Sequence, residues 1–223
     1  MLCVFDVNET LLDLAALDDF FAEITGDPAA RRKWFDLMIH NALALTSADG
    51  YRPFGEIAMA CLPPVVTAYG RAASRDHKRE LGQRLRQLPA HPDVHQAITR
   101  LRGAGFRVVT LTNSVAAVAE DQLRNADLRP LIDAVYSAEQ VGRLKPAPEP
   151  YRLVLDAQQV APPDAVLIAA HGWDIAGASA VGLATAFVSR DERIPLPAAD
   201  APSLVATNLD DIASQLITRH ASR

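Results

Sequence analysis

Short apolar runs and stretches with helical spacing are unevenly distributed along this chain. The first run covers residues 2–5 and ends at Asp6 and a polar turn. Beyond it, apolar side chains recur at the three- and four-residue spacing of helices for about eighty residues, with no convincing strand. We expect four helices there, near residues 12–24, 29–45, 54–69 and 76–88. Pro63 and Pro64 should divide the third helix, because proline has no backbone N–H donor.

From residue 92 onwards, strands and helices alternate. Strands are predicted at 107–111, 134–136, 165–170, 184–188 and 203–206, and helices near 94–105, 115–125, 149–159, 176–181 and 209–218. Apolar strands without polar alternation are typical of a parallel sheet that is covered on both faces. The pattern therefore predicts an α/β fold, a Rossmann-like parallel sheet core with an all-helical cap inserted after the first strand. We place the core at 1–13 and 91–223 and the cap at 14–90.

Composition narrows the class of protein. The chain has 223 residues, 49% of them hydrophobic and 22% charged, with a formal net charge of -5. This acidic balance argues against a nucleic-acid partner, which requires clustered Lys and Arg. Two cysteines cannot form a disulfide framework, and no apolar run approaches the roughly 20 residues that span a bilayer. We expect a cytoplasmic protein with no membrane partner, since the N-terminus also lacks the basic start of a secretory signal.

Four polar residues follow predicted strands or lie in the loops after them: Asp6, Thr112, Lys145 and Asp174. Ligands of open parallel sheets bind beyond the carboxyl ends of the strands. Asp6 is either a turn or cap residue, or a carboxylate nucleophile or metal ligand. Thr10 is either a helix N-cap or a hydroxyl group directed at Asp6.

The other polar residues near these positions also have two interpretations. Asn113 and Ser114 can cap the next helix, or that helix N-terminus can offer donors to an anion. Lys145 is either a solvated surface charge or the partner of buried carboxylates. His171 and Trp173 follow the most apolar strand, where structural and packing roles are the common ones.

Taken together, these residues resemble the haloacid dehalogenase superfamily in order and spacing, over essentially the whole chain. In detail they are similar to type II (S)-2-haloacid dehalogenases. The resemblance implies that Asp6 attacks the carbon that carries the halogen and forms an ester, and that Asp174 helps water to hydrolyse it. It also implies that Lys145 balances the carboxylates and that Thr112 and Asn113 receive the carboxylate of a small anionic substrate. The family's Thr, Tyr and Trp correspond to Thr10, Tyr151 and Trp173, and the family implies no metal, no cofactor and a homodimer.

The phosphatases of the superfamily are a weaker match. Their general acid lies two residues after the nucleophile, where this chain has Asn8, and their Mg²⁺ site needs an acidic pair where only Asp174 is present. Such a hard cation prefers several oxygen ligands.

The chain also departs from the dehalogenases. Phe35 follows Trp34 where the family has a halide-binding Arg, and Arg31 and Arg32 are expected on another face of that helix. Asn8 replaces an aromatic residue. His171 replaces an Asn, and could orient or deprotonate the water because its ordinary pKa is about 6.5.

We therefore expect a metal-independent hydrolase with an aspartate nucleophile that converts small 2-haloalkanoic acids to 2-hydroxy acids and releases halide. The predicted catalytic residues are Asp6, Lys145, His171 and Asp174. The predicted substrate-binding residues are Asn8, Thr10, Phe35, Thr112, Asn113, Tyr151 and Trp173. A phosphatase of the same superfamily and a catalytically idle interaction module remain alternatives.

Overall fold

One parallel sheet organises the structure, a computed structural model that describes residues 1–190 and 194–221. Its strands are β1 (Leu2–Phe5), β2 (Arg107–Thr112), β3 (Ala134–Ser137), β4 (Ala165–Ala169), β5 (Ala184–Val188) and β6 (Leu204–Ala206). They lie in the order β3-β2-β1-β4-β5-β6, and every pairing is parallel. The predicted α/β fold is confirmed, with β1 in the middle of the sheet. Residues 191–193 and 222–223, which the predicted core includes, lie outside the described residues.

The helices differ from the predicted ones mainly at their ends. They are α1 (Asp18–Thr25), α2 (Ala30–Ser47), α3 (Phe54–Ala68), α4 (Arg75–Arg86), α5 (Val94–Gly103), α6 (Ala116–Asn125), α7 (Pro148–Gln158), α8 (Gly172–Ala180) and α9 (Leu209–Ala221). Short 3₁₀ turns cover Leu14–Leu17, Arg129–Leu131, Ala138–Val141 and Pro162–Asp164. Among the described residues, no helix combines the length and the apolar character needed to cross a membrane.

Alternate residues of β1 pack into different hydrophobic clusters, as the two-residue period of a strand requires. Cys3 and Phe5 join a cluster that includes buried residues of α5, α6 and α9. Leu2 and Val4 join a second cluster with buried residues of α7 and α8. Both faces of β1 are therefore covered, which explains why its sequence shows no polar alternation.

The expected break at Pro63 and Pro64 is wrong, because α3 runs through both prolines. Its buried side chains hold the helix against its neighbours, and Trp34 Nε1 donates a hydrogen bond of 2.9 Å to the carbonyl oxygen of Ala58. Packing in this helix outweighs the loss of two backbone donors.

Helix α8 begins earlier than predicted, at Gly172 instead of residue 176. His171 is its N-cap residue, so Trp173 and Asp174 lie in the first helical turn and not in a loop. A helix that starts directly after β4 fixes the direction of both side chains.

Helices α1 to α4 lie between β1 and β2 in the sequence and pack on one another. The ring centroids of Phe20 and Phe21 are 5.3 Å apart, and those of Phe21 and Trp34 are 5.4 Å apart. The division into a core of 1–13 and 91–223 and a cap of 14–90 stays a prediction.

Candidate active site

Asp6 is the first residue after β1, and its carboxylate is held by three donors although the residue is only 4% exposed. Oδ1 accepts a hydrogen bond from Lys145 Nζ at 2.9 Å. Oδ2 accepts one from Thr10 Oγ1 at 2.8 Å and lies 3.2 Å from His171 Nδ1. Burial would raise the pKa of Asp6, but the charge of Lys145, followed by the hydrogen bond and charge of His171, holds it well below its usual range. The carboxylate is therefore ionised at neutral pH.

Lys145 lies between two carboxylates. Its Nζ donates to Asp6 Oδ1, to Asp174 Oδ2 at 2.6 Å and to the carbonyl oxygen of Leu111 at 2.9 Å, which matches its three N–H groups. Burial would lower the pKa of Lys145, but the charges of Asp174 and Asp6 raise it above its usual value. The buried ammonium group of Lys145 stays charged because two carboxylates face it.

Asp174 has a different environment from Asp6. Its Oδ1 accepts a hydrogen bond of 2.6 Å from the Tyr151 hydroxyl group, and Oδ2 accepts the one from Lys145. Burial raises the pKa of Asp174, and the opposing charge of Lys145 does not cancel this effect. The pKa of Asp6 is thus lowered and that of Asp174 raised, as is typical of active sites in which two carboxyl groups have different chemical roles.

His171 bridges two carboxylates. Its Nδ1 faces Asp6 Oδ2 at 3.2 Å, and its Nε2 faces Glu9 Oε2 at 2.9 Å. Two acceptors on opposite sides require a proton on each ring nitrogen, which is the imidazolium form. Burial would lower the pKa of His171, but the hydrogen bonds to Asp6 and Glu9 and their charges raise it to about 9. Since deprotonation of water needs a neutral ring, this arrangement favours the expected role of orienting the water over that of deprotonating it, and the role of His171 stays a prediction.

The imidazole ring lies between two aromatic rings. Its centroid is 5.5 Å from that of Phe35 and 5.1 Å from that of Trp173, with interplanar angles of 22° and 20°. Aromatic faces attract cations, so both neighbours favour the charged imidazole. Phe35 and Trp173, predicted to bind substrate, therefore also hold His171.

Glu9 and Arg31 belong to this charged network but are absent from the predicted site. Glu9 has a backbone φ of 61°, in the left-handed region, and is 4% exposed. Arg31, 2% exposed, contacts Glu9 Oε1 at 3.4 Å and also pairs with Asp18.

The expectation that Arg31 lies on another helix face is wrong. It shares the buried stripe of α2 with Trp34, Phe35 and Met38, at helical spacings of three, four and seven residues. This helical spacing is the feature of the sequence from which the burial of Arg31 could have been predicted.

Asn113 fixes the segment that carries Lys145. Its Oδ1 accepts a hydrogen bond of 2.8 Å from the Lys145 backbone N–H, and its Nδ2 lies 3.4 Å from the Lys145 carbonyl oxygen. Thr112 Oγ1 accepts from the Ser114 backbone N–H at 3.1 Å. The helix-cap interpretation of Asn113 and Ser114 does not apply, since Val115 is the N-cap residue of α6 and has no side-chain hydrogen bond.

Gly177 allows α8 to approach the Lys145 segment. A Cβ atom added at Gly177 would lie 2.6 Å from Pro146 Cβ and from the Tyr151 hydroxyl oxygen. Any larger residue would push α8, and Asp174 with it, away from Lys145.

A small cavity opens onto Asp6. Most of the predicted site residues line it, and its wall consists of Asp6, Asn8, Phe35, Ile39, Phe54, Thr112, Asn113, His171 and Trp173. Four other predicted site residues lie behind this wall. Two of them, Lys145 and Thr10, bond Asp6 directly, and Asp174 and Tyr151 are linked to it through Lys145.

The buried, ionised aspartate lies at the carboxyl end of the central strand, which is where parallel α/β sheets bind their ligands. The sequence model of haloacid dehalogenase-like hydrolases matches residues 1–182. The chain belongs to this family.

Several individual proteins that are similar to this chain are named 2-haloacid dehalogenases. The chain is 27% identical over 190 residues to (S)-2-haloacid dehalogenase 1 of Pseudomonas sp. (strain CBS-3), covering 84% of each chain. It is 25% identical to (S)-2-haloacid dehalogenase 4A of Burkholderia cepacia, covering 86% of this chain and 84% of that one. Its fold is similar to that of L-2-haloacid dehalogenase from Xanthobacter autotrophicus with chloropropionic acid covalently bound, with a TM-score of 0.89, 20% identity, and coverage of 97% and 98%.

Proposed function

We propose that this protein hydrolyses the carbon–halogen bond of 2-haloalkanoic acids, with Asp6 as the covalent nucleophile and without a metal ion. The observation that carries the proposal is the Asp6 carboxylate, which is ionised, almost fully buried and part of the lining of the small cavity. A carboxylate removed from water attacks carbon more readily than a hydrated one. The similarity to proteins named (S)-2-haloacid dehalogenases supports this choice of reaction.

Oδ1 of Asp6 is the attacking atom. Among the described residues it accepts one hydrogen bond, from Lys145, whereas Oδ2 is engaged by both Thr10 and His171. A lone pair on Oδ1 forms a bond to C2 of the substrate, and the C2–halogen electron pair leaves with the halide ion. The His171 imidazolium lines the same cavity and supplies a positive charge for either the substrate carboxylate or the departing halide.

Hydrolysis of the resulting ester uses the other oxygen. Water adds to the Asp6 carbonyl carbon, and negative charge develops on Oδ2, which faces Thr10 Oγ1 and His171 Nδ1. This pair of donors is an oxyanion hole. Asp174 accepts the proton from water, since it is the remaining carboxylate beside Lys145 once Asp6 is esterified. Cleavage of the bond between the carbonyl carbon and Oδ1 expels the substrate alkoxide, which takes the proton back from Asp174 to give the 2-hydroxy acid. Asp6 is left as a carboxylic acid and loses its proton to solvent, so one proton is released for each halide ion.

The donor set does not fit the Mg²⁺ site of the phosphatases. The Asn8 amide is bonded to Ser114 Oγ and Gln122 Nε2, and both oxygens of Asp174 face Lys145 or Tyr151. Lys145 already places a positive charge between the two carboxylates. Among residues 1–190 and 194–221, no group of three or more His, Cys, Asp or Glu side chains has the arrangement of a metal site. No step of the proposed reaction therefore passes through a metal ion.

The direct test of this function is chloride release from (S)-2-chloropropionate. We expect equal rates with EDTA and with added Mg²⁺, together with stoichiometric lactate and one proton for each chloride ion. The competing phosphatase function predicts Mg²⁺-dependent hydrolysis of p-nitrophenyl phosphate instead. An idle interaction module predicts neither product, and either of these two results would contradict the proposal.

The charge on His171 predicts an alkaline limit to activity. A raised pKa means that the imidazolium is present below pH 9 and is lost as the pH rises through about 9. We expect kcat/KM for chloropropionate to fall with that apparent pKa, as His171 loses its positive charge. His171→Gln should lower kcat/KM and abolish the alkaline limb. Glu9→Gln should move the limb to lower pH, because one of the two anions that raise the pKa is gone. An unchanged limb in His171→Gln would assign it to another group.

A further inference from the structure

A second, larger cavity adjoins the one at Asp6. It has a volume of about 460 Å³ and lies between α2, α3, α4 and α6. Most of its wall is apolar, with Met38, Met59 and Val118 among the side chains that line it. Cavities of roughly 300–1,000 Å³ hold drug-sized ligands, so this one is much larger than a three-carbon acid requires.

The two cavities share part of their walls. Asn8, Phe35 and Phe54 line both of them, and Asn8 is only two residues from the nucleophile. The cavity at Asp6 itself has a volume of about 10 Å³, which is room for about one water-sized group. The larger cavity, which shares these three residues, offers the additional room that a substituent on C2 larger than a methyl group needs.

Hydrogen bonds within the protein hold the polar side chains that border the larger cavity. Asn8 Nδ2 donates to Ser114 Oγ at 3.1 Å, and Asn8 Oδ1 accepts from Gln122 Nε2 at 3.0 Å. Gln122 also donates to the carbonyl oxygen of Leu85 at 2.7 Å. The Asn8 amide is therefore engaged with the protein, and a hydrocarbon chain can lie against it without leaving these hydrogen bonds unmade. Gln122 Oε1 accepts no hydrogen bond within the described part of the chain.

We infer that the larger cavity binds the hydrocarbon part of the substrate, and that the substrates are 2-halo acids with a chain of several carbon atoms or an aromatic ring. This inference rests on the proposed dehalogenation. Each buried methylene group improves binding by about fourfold. The preference should therefore grow with the length of the chain until the cavity is filled.

Gly82 offers a variant that fills the cavity. It lies within α4 and lines the cavity, and an added Cβ atom would meet only Met59 Cε at 3.8 Å, an ordinary contact with a flexible side chain. Leucine also favours a helix more than glycine does, so Gly82→Leu should fold. Gly103→Leu is the matched control, because Gly103 is an exposed residue of α5 with open space around it.

The experiment measures bromide release from (S)-2-bromopropionate, (S)-2-bromobutanoate, (S)-2-bromohexanoate and (S)-2-bromo-3-phenylpropionate. We expect kcat/KM to rise at least tenfold from bromopropionate to bromohexanoate. Gly82→Leu should lower the ratio of the bromohexanoate to the bromopropionate value at least tenfold, and Gly103→Leu should leave it unchanged. Turnover of bromopropionate with equal or slower turnover of the longer acids would overturn the inference and leave the proposed function intact.

Binding of acids without a halogen separates the two proposals further. The affinities of propanoate and hexanoate, measured by calorimetry, should differ at least tenfold in the wild-type protein and less in Gly82→Leu. Tighter hexanoate binding without bromide release from any acid would contradict dehalogenation while supporting the ligand class. Equal affinities would overturn the inference whatever the protein's activity.

Discussion

Asp6→Asn should abolish halide release from (S)-2-chloropropionate, with a loss of at least about 10³-fold in kcat, because the amide oxygen is a much weaker nucleophile than the carboxylate. Asparagine has nearly the same shape as aspartate. The Lys145 ammonium keeps its hydrogen bonds to Asp174 Oδ2 and to the carbonyl oxygen of Leu111. We therefore expect the variant to fold and to bind the substrate.

Thermal unfolding and substrate binding provide the controls for this variant. Asp13→Asn is a matched substitution, since Asp13 caps the turn at Leu14–Leu17 through the backbone N–H of Ala15 and lies outside the cavity at Asp6. It should retain nearly all of the activity. A folded Asp6→Asn protein that released halide at more than a tenth of the wild-type rate would show that Asp6 is not the nucleophile.

Lys145→Met should have the largest effect on stability. It removes the cation between Asp6 and Asp174 and leaves two buried carboxylates without their main counter-charge. Removing one partner of a buried ion pair costs about 3–5 kcal/mol, and each kcal/mol lowers Tm by roughly 2–4 °C in a chain of this size. We expect Tm to fall by roughly 6–20 °C, together with loss of activity because the pKa of Asp6 rises.

The pH dependence of unfolding distinguishes this explanation from a simple packing defect. In the wild-type protein the lowered pKa of Asp6 contributes stability at neutral pH that is lost as the solution becomes acidic. Lys145→Met should lose part of this acid sensitivity. Lys78→Met, at a half-exposed position of α4, is the control and should unfold as the wild type does. A Lys145→Met protein with an unchanged Tm would contradict the role assigned to the buried ammonium.

The sequence was sufficient to predict the sheet and most of the charged centre. Apolar strands that end in a polar residue identified β1, β2 and β4, and the parallel arrangement placed the groups after them at one edge. Lys145 lies 139 positions from Asp6 in the sequence. The pattern left open whether Lys145 is a surface charge, and its pairing with Asp6 and Asp174 was implied by the resemblance to the dehalogenases.

The rest of the site depends on interactions that a linear pattern does not contain. The continuity of α3 through Pro63 and Pro64 comes from packing, which local propensity does not report. The protonation of His171 arises from Glu9, whose side chain is positioned by a left-handed turn and by Arg31 from a distant helix. The larger cavity exists because α2, α3, α4 and α6 leave space between them, and no single element encodes that volume.

Incorporation of ¹⁸O in a single turnover tests the covalent role of Asp6 most directly. Excess protein is mixed with (S)-2-chloropropionate in H₂¹⁸O, and both the lactate and the peptide that contains Asp6 are analysed by mass spectrometry. The proposed reaction predicts that the new hydroxyl oxygen of lactate is unlabelled, because it comes from Asp6 Oδ1, and that Asp6 gains one ¹⁸O atom. Labelled lactate with an unlabelled Asp6 would mean that water attacks C2 directly, and would contradict the ester intermediate.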